Sequence, residues 1–311
     1  MRSCTDEFSA YATETFNTCS AGPFIDFVDD EAVIPICEIF QNPNSTMNQK
    51  THNLEAIISG YQKVIIGFSA GVDSTLVSFV SNKVLGSNAL IVLAKTETIT
   101  NEDVDLARSL AGTYGFNFRE IEYNELEIEN YASNPINRCY FCKHELYVRL
   151  GSIAEQEKIP IILDGANLDD LGDYRPGRTA AKELQIRSPL IEASFTKLDV
   201  REAAEYYGLP NFDKPSAPCL SSRIPYGTPI DRASLEKIAQ AEQYIRLKGF
   251  TNVRVRHFNE RAKIEVDKDD IARLRLMFDD IETRLHDLGY RDVQIDAEGF
   301  RSGKLNEKIL K

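Results

Sequence analysis

The apolar run Val64-Ile65-Ile66-Gly67-Phe68 passes straight into Ser69-Ala70-Gly71-Val72-Asp73-Ser74, and this junction constrains the fold more than any other stretch. A short apolar run ending in small residues and followed by a helical pattern reads as a buried strand turning into a helix. The helix, expected over 74–84, aims unpaired N–H groups and the positive end of its dipole into the turn. Ser69 and Ser74 offer hydroxyls there, and Ala70 and Gly71 let an anion approach the backbone. The bland alternative is a serine-capped turn. No lysine follows as in G-x-x-x-x-G-K-S/T, so the anion reading is a cradle for pyrophosphate and not a grip on a γ-phosphate. If position 70 needs a positive φ, its alanine is strained by roughly 1–2 kcal/mol.

Around that junction the pattern alternates. Helices are expected over 52–60, 74–84, 101–115, 142–157 and 177–185, and strands over 63–68, 89–94, 117–122 and 160–163. Strands separated by helices imply an α/β fold with a doubly wound parallel sheet whose ligands sit at the carboxyl ends of the strands. After Tyr226 a smaller α+β domain is expected, with a helix over 234–247, strands over 252–257 and 262–266, a helix near 268–288 and a last strand over 291–295. The expected division is an unassigned extension over 1–50, a nucleotide-binding domain over 51–222 and a C-terminal domain over 223–311. The extension holds a possible strand at Phe24 to Val28 and ends in a polar linker from Gln41 to Thr46.

Charge and hydropathy exclude several classes. A net charge of −12 argues against an extended nucleic-acid footprint, which needs clustered Lys and Arg. No apolar run approaches the roughly 18 residues of a membrane span, and the first residues carry neither a basic start nor an apolar core, so a cytoplasmic protein is expected.

Three of the six cysteines have suggestive spacing. Cys139 and Cys142 form C-x-x-C in Asn137-Arg138-Cys139-Tyr140-Phe141-Cys142-Lys143, and Cys219 opens Cys219-Leu220-Ser221-Ser222-Arg223. In a reducing compartment such a pair is more often metal-binding or catalytic than a disulfide. Three thiolates suit zinc with His144 as a candidate fourth ligand, or a 4Fe-4S cluster with one open iron, or stay unligated. Asp164-Gly165-Ala166-Asn167-Leu168-Asp169-Asp170 follows a strand and places carboxylates where Mg²⁺ would screen a triphosphate. Arg175 and Arg178 follow as candidates for phosphate or carboxylate contacts. Along the strand from Asn252 to His257, Val253 and Val255 face one side and Arg254 and Arg256 the other, where two guanidiniums suit a phosphate or simply face solvent.

The turn at 69–74 resembles the PP-loop, S-G-G-x-D-S, of enzymes that cleave ATP between its α and β phosphates, with Ala70 in place of the first glycine. Together with NRCYFCK at 137–143, DGANLDDLGDYRPGR at 164–178, RSPL at 187–190 and CLSSRIPYG at 219–227, the chain from about Leu54 onward is similar to the LarE family. That resemblance implies a HUP-like PP-loop fold and ATP-dependent sulfur insertion into pyridinium-3,5-biscarboxylic acid mononucleotide for nickel-pincer nucleotide biosynthesis. It implies ATP and Mg²⁺ as cofactors, a small mononucleotide as substrate, and a homo-oligomer, with no nucleic-acid or membrane partner. In relatives with a single cysteine at the position of Cys219, that residue gives up its sulfur. Relatives with all three cysteines resemble cluster enzymes, so the resemblance implies a 4Fe-4S cluster on Cys139, Cys142 and Cys219, recharged by a sulfide donor.

The resemblance also assigns roles. Ser69, Gly71, Asp73 and Ser74 hold pyrophosphate; backbone from Leu93 and Ala94 to Thr96 meets adenine; Asp170, Asp173 and Arg175 serve catalysis with Cys219. Ser222, Arg223, Arg254 and Arg256 are candidates for the substrate phosphate, with Glu242 and Lys263 behind them. Rival readings are a PP-loop enzyme that thiolates tRNA, an amidating ligase of the same superfamily, and a zinc-binding ATP scaffold without turnover.

Overall fold

The computed structural model describes residues 43–172, 176–215 and 218–301, with side chains from residue 47 onward. The expected strand at 24–28, most of the extension, and the candidates Asp173 and Arg175 lie outside these residues.

Four parallel strands form the larger sheet in the order β3-β2-β1-β4, with β1 at Val64–Phe68, β2 at Ala89–Lys95, β3 at Asn117–Glu122 and β4 at Ile161–Leu163. Side chains of β1 and β2 alternate between two cores. Val64, Ile66, Ile91 and Leu93 pack on one face with α1 (Pro43–Gly60) and α2 (Val72–Leu85). Ile65, Leu90 and Val92 pack on the other with α4 (Arg138–Glu157) and α5 (Pro176–Glu183). Burial on both faces is what makes these strands continuously apolar. Between β2 and β3 runs α3 (Asn101–Tyr114), capped by Thr100 and closed by Gly115 in the left-handed region at φ 62°.

The chain winds from β1 outward through β2 to β3 and then returns to place β4 on the other side of β1. The crevice between the carboxyl ends of β1 and β4 is therefore the switch point where an open α/β sheet binds ligands. Beyond β4, Arg187 bridges to Leu163, and two short helices follow, α6 (Pro189–Glu192) and α7 (Lys197–Tyr206).

A separate three-stranded mixed sheet, ordered β5-β6-β7, occupies the C-terminal region: β5 at Val253–Phe258, β6 at Arg261–Val266 antiparallel to it, and β7 at Asp292–Ile295 parallel to β6. Val253, Val255, Ile264 and Val266 meet α8 (Arg232–Leu247), α9 (Ile271–Leu276) and α10 (Phe278–Asp287) in a core of their own. The single helix expected near 268–288 is thus a 3₁₀ turn and two helices, broken at Met277. The linker expected over 41–46 is corrected from Pro43 onward: α1 begins there, because proline suits a first turn and the apolar positions Met47, Leu54 and Ile58 carry one buried face along the helix. Among the described residues no helix is long and apolar enough to cross a membrane.

Candidate active site

The loop after β1 bonds to itself. Ser74 Oγ accepts from Ser69 N at 3.2 Å, lies 3.2 Å from Ser69 Oγ and donates to Gly71 O at 3.1 Å. Ala70 is fully buried with φ 54°, so the left-handed conformation is present and the alanine carries its strain. Its carbonyl accepts from Asn211 Nδ2 at 3.1 Å and from Lys214 Nζ at 3.4 Å.

The loop after β4 seals the other side. A Cβ on Gly165 would lie 2.8 Å from Ser74 N and 3.1 Å from Asp73 C, so only glycine permits the approach. Asn167 Nδ2 donates to Asp73 Oδ1 at 2.9 Å, and Lys197, at the first position of α7, pairs with Asp73 Oδ2. The carboxylates of this loop are largely turned to holding it. Asp164 accepts from Ser188 Oγ at 2.7 Å and Tyr147 OH at 3.1 Å; Asp169 accepts from Lys197 N at 2.9 Å; Asp170 caps its turn by accepting from Asn167 N at 3.0 Å. Arg178 donates to Ser188 Oγ at 3.0 Å. On the far side, β1 ends opposite Leu93 while β2 runs on, so Ala94 and Lys95 pair with β3 alone, and Thr96 follows at the rim.

The cysteines form a second centre. Cys139 is exposed, Cys142 and Cys219 are half-buried, and all three are free thiols. Cys142 Sγ donates to Glu125 Oε1 at 2.9 Å, and Glu125, itself buried, also accepts from Thr98 Oγ1 at 2.6 Å and Tyr131 OH at 3.3 Å. Tyr131 OH lies 2.7 Å from Ser221 Oγ, and Leu220 N donates to Thr98 O at 3.0 Å, so the Cys219 turn is tied to the same hub. Burial, then the charges of Glu125 and Cys219, push the Cys142 thiol well up. Burial likewise raises Cys219, with Cys139 and Glu125 adding to the rise and Arg138 and Arg223 opposing it. The sulfurs therefore sense one another electrostatically. They are not gathered as ligands, however: among the described residues no group of three His, Cys, Asp or Glu side chains is placed to hold a metal ion, and His144 packs against Tyr140. A cluster does not fit this arrangement without Cys142 leaving Glu125.

The arginines meet next to the Cys219 turn. Arg223 is buried and grips Glu242 of α8 through Nε–Oε1 at 2.8 Å and Nη2–Oε2 at 2.9 Å, while Nη1 donates to the carbonyls of Pro218 and Cys219. Burial alone would raise the Glu242 carboxyl, but Arg223 and the Val255 N–H hold it below the ordinary value. Arg256 reaches Ser222 O at 2.8 Å and Glu265 at 2.9 Å, and Arg254 donates to Val253 O at 2.8 Å. Burial, then Arg223, holds the Arg254 guanidinium down to about 10. Lys263 pairs with buried Asp296 at 2.8 Å. Arg223, Arg246 and Arg256 all act on Arg254, and Glu242 and Glu265 are the carboxylates paired among them, so this part of the C-terminal sheet is cationic.

Sequence reasoning stopped short of Lys197, Asn167 and Glu125. Lys197 was findable, because Thr196-Lys197-Leu198-Asp199 spells a capping box that the structure forms, with Asp199 accepting from Thr196 N at 2.8 Å. Glu125 carried no local signal, since its partners come from Thr98, Tyr131 and Cys142.

Comparison with known proteins agrees with this geometry. Residues 47–138, which include the β1 loop, match the family model described as NAD synthase. A protein of Synechocystis sp. known only as uncharacterized is 39% identical over 267 residues, 85% of this chain and 100% of its own. One of Methanocaldococcus jannaschii, also uncharacterized, is 30% identical over 241 residues, 78% and 92% of the two chains. The pyridinium-3,5-bisthiocarboxylic acid mononucleotide synthase of Lactiplantibacillus plantarum is 38% identical over 268 residues, 86% of this chain and 97% of its own. With a PP-loop at the switch point and near-complete alignment to that synthase, the chain belongs to the LarE family of PP-loop sulfur-transferring synthases.

Proposed function

We propose that the chain converts carboxylates of pyridinium-3,5-biscarboxylic acid mononucleotide to thiocarboxylates, using ATP to activate each one. The observation that carries this is the alignment over 86% of the chain to the L. plantarum synthase. The site supports it, because the loop after β1 and the cysteine turn are tied to neighbouring rims of one sheet.

A carboxylate is a poor electrophile with a poor leaving group. Its oxygen attacks the α-phosphorus of ATP, the bond to the β-phosphate breaks, and pyrophosphate leaves. Gly71 and the hydroxyls of Ser69 and Ser74 cradle that pyrophosphate, and Lys197, held by Asp73, adds the positive charge that the motif itself lacks. Mg²⁺, usual in PP-loop enzymes, would screen the triphosphate, and Asp73 and Asp170 would hold it by giving up bonds to Lys197 and to the Asn167 side chain and N–H. Backbone of Leu93, Ala94 and Thr96 faces adenine beyond the end of β1. Sulfur then attacks the acyl carbon and AMP departs with the original oxygen. Arg254, with Ser222, takes the phosphate of the mononucleotide, and Arg256 joins it by turning away from Glu265 and the Ser222 carbonyl, which occupy its three nitrogens. Arg223 holds the Cys219 turn rather than the ligand, since its three nitrogens already serve Glu242, Pro218 and Cys219.

Activity is tested by pyrophosphate release and by the mass of the product. Release that does not depend on the mononucleotide, or no thiocarboxylate, sinks the proposal. Arg254→Ala and Arg256→Ala raise KM for the mononucleotide by about 10- to 100-fold, the range of charge-assisted contacts, and leave KM for ATP alone.

The three-cysteine resemblance favours sulfur carried by a 4Fe-4S cluster, but the arrangement of the thiols gives no ligand set, and no step here runs through one. Iron and acid-labile sulfide on protein purified without oxygen, compared with Cys139→Ala, decide the donor. About four irons per chain, lost in the variant, assign it to a cluster. Iron-free protein whose Cys219 becomes dehydroalanine after one turnover assigns it to Cys219 Sγ.

A further inference from the structure

One buried charge has no task in the scheme above. Arg138 opens α4 and is 2% exposed. Its Nη1 donates to Asn134 Oδ1 at 2.6 Å, and its guanidinium lies 4.8 Å from the centre of the Tyr226 ring. Nε is buried with no hydrogen-bond partner, and among the described residues no carboxylate pairs with the group. A buried polar atom left unmade costs about 1–3 kcal/mol, and more where the group is charged, so this one calls for a reason.

Other arginines of the chain show what the idle edge is suited to. Arg108 holds Glu120, Arg187 holds Glu192 and Arg223 holds Glu242, each through Nε and Nη2 together. That edge matches the two oxygens of a carboxylate. Arg138 has Nη1 tied back to Asn134, which fixes the fork and, among the described residues, leaves the Nε–Nη2 edge without a hydrogen-bond partner. Its position adds two things. Arg138 is the foremost positive charge felt at Cys219, ahead of Arg223. It also stands at the first turn of a helix of 20 residues whose Asn137 provides no side-chain cap, so the positive end of the dipole falls in the same place.

We infer that Arg138 receives a ring carboxylate of the substrate through its Nε–Nη2 edge and so seats the pyridinium ring beside Cys219. The inference rests on the proposed substrate, whose ring carries two carboxylates. While one is activated, the other keeps its full charge, and a charge taken out of water needs a cation. Arg138 then selects a 3,5-dicarboxylate over a ring with a single carboxylate, because the monocarboxylate leaves the fork empty.

The test is calorimetric titration of the full chain with pyridinium-3,5-biscarboxylic acid mononucleotide and with nicotinic acid mononucleotide, which has one ring carboxylate. Wild type, Arg138→Gln and Arg138→Lys are compared, with the Kd for ATP measured on each as a check that the β1 loop is intact. Wild type prefers the dicarboxylate by about 10- to 100-fold, the range of a charge-assisted pair. Arg138→Gln abolishes that preference by weakening the dicarboxylate alone, and Arg138→Lys restores part of it, since a point charge replaces the fork. If Arg138→Gln loses ATP binding, Arg138→Lys carries the test through its reduced preference. A preference unchanged in the variants that bind ATP, or equal weakening of both mononucleotides, overturns the role of Arg138 and leaves the function standing. Wild type that binds neither mononucleotide overturns the function, and this inference with it.

Discussion

Two small residues fix the phosphate loop, and for different reasons. Ala70 sits at φ 54° with no exposed surface, so its methyl is packed in the core while its backbone is strained. Removing the strain removes the methyl as well, and the two effects are each of order 1 kcal/mol. Gly165 is a matter of contact. Its missing Cβ would press on the backbone at Ser74 and Asp73, which cannot move aside as a flexible side chain can. Gly165→Ala should therefore part the two loops and raise the Kd for ATP at least about tenfold, while the melting temperature changes less, because Gly165 itself belongs to neither core of the larger sheet. Unaltered ATP affinity would show that the close approach is dispensable. The serines and the acid at Asp73 could be placed on one local turn from the sequence, whereas the left-handed backbone at Ala70 was a condition the sequence left open and the structure supplies. The requirement at Gly165 was not legible, since it depends on a loop that arrives from the far side of β1.

At the level of elements, the switch between β1 and β4 brings three segments to one crevice: the loop after β1, the loop after β4 and the start of α7. The first two were visible as motifs, and the strands behind them as continuous apolar runs. The third was missed because α7 is short and follows four-residue α6, so neither shows a sustained helical period. Lys197 gives the crevice a cation at Asp73. Lys197→Met should raise KM for ATP by about 10- to 100-fold and leave KM for the mononucleotide unchanged, as expected for one charged contact to phosphate. Lys50→Met is the matching control, since Lys50 pairs with Asp199 of the same helix at 2.6 Å away from Asp73. Equal effects of the two substitutions would reduce Lys197 to a helix contact. The cysteines show the opposite limit of sequence reading. Spacing gave the C-x-x-C pair and the resemblance implied that Cys219 joins it, but neither reveals that Cys142 is already hydrogen-bonded to a glutamate from another segment.

Across the whole molecule, the Cys219 turn is the piece both sheets share. Leu220 N binds Thr98 O at the edge of the parallel sheet, while Arg223 grips Glu242 on α8 and Arg256 of β5 reaches Ser222 O. The motif identified Arg223 as important without identifying its partner, because Glu242 lies 19 residues away on a helix that sequence alone leaves free to face either way. The pair is buried on both sides, with side-chain exposures of 3% and 0%. Removing one partner of such a pair strands the other charge, at a cost of about 3–5 kcal/mol. Arg223→Met should show that loss in urea unfolding at pH 7, and the pH dependence identifies its origin. In the native chain the Glu242 carboxyl is held below its ordinary value, so its stabilisation is complete above the unfolded pKa near 4.5 and fades as pH falls through the lower folded value. In Arg223→Met the same carboxyl loses its bidentate partner and keeps only the weaker contact with Arg246 at 3.3 Å and the field of Arg254, so its folded pKa rises and it destabilises most at neutral pH. Acidification then protonates it in the variant before it does so in the native chain. The gap in stability between the two should be widest near pH 7 and shrink as pH falls below about 5. Arg223→Met combined with Glu242→Leu should recover part of the loss at pH 7, since the Glu242 charge is no longer stranded. A gap that stays constant with pH, or a double variant no better than the single one, would mean that Arg223 acts through its bonds to Pro218 and Cys219 and that the ion pair is not what joins the Cys219 turn to the C-terminal sheet.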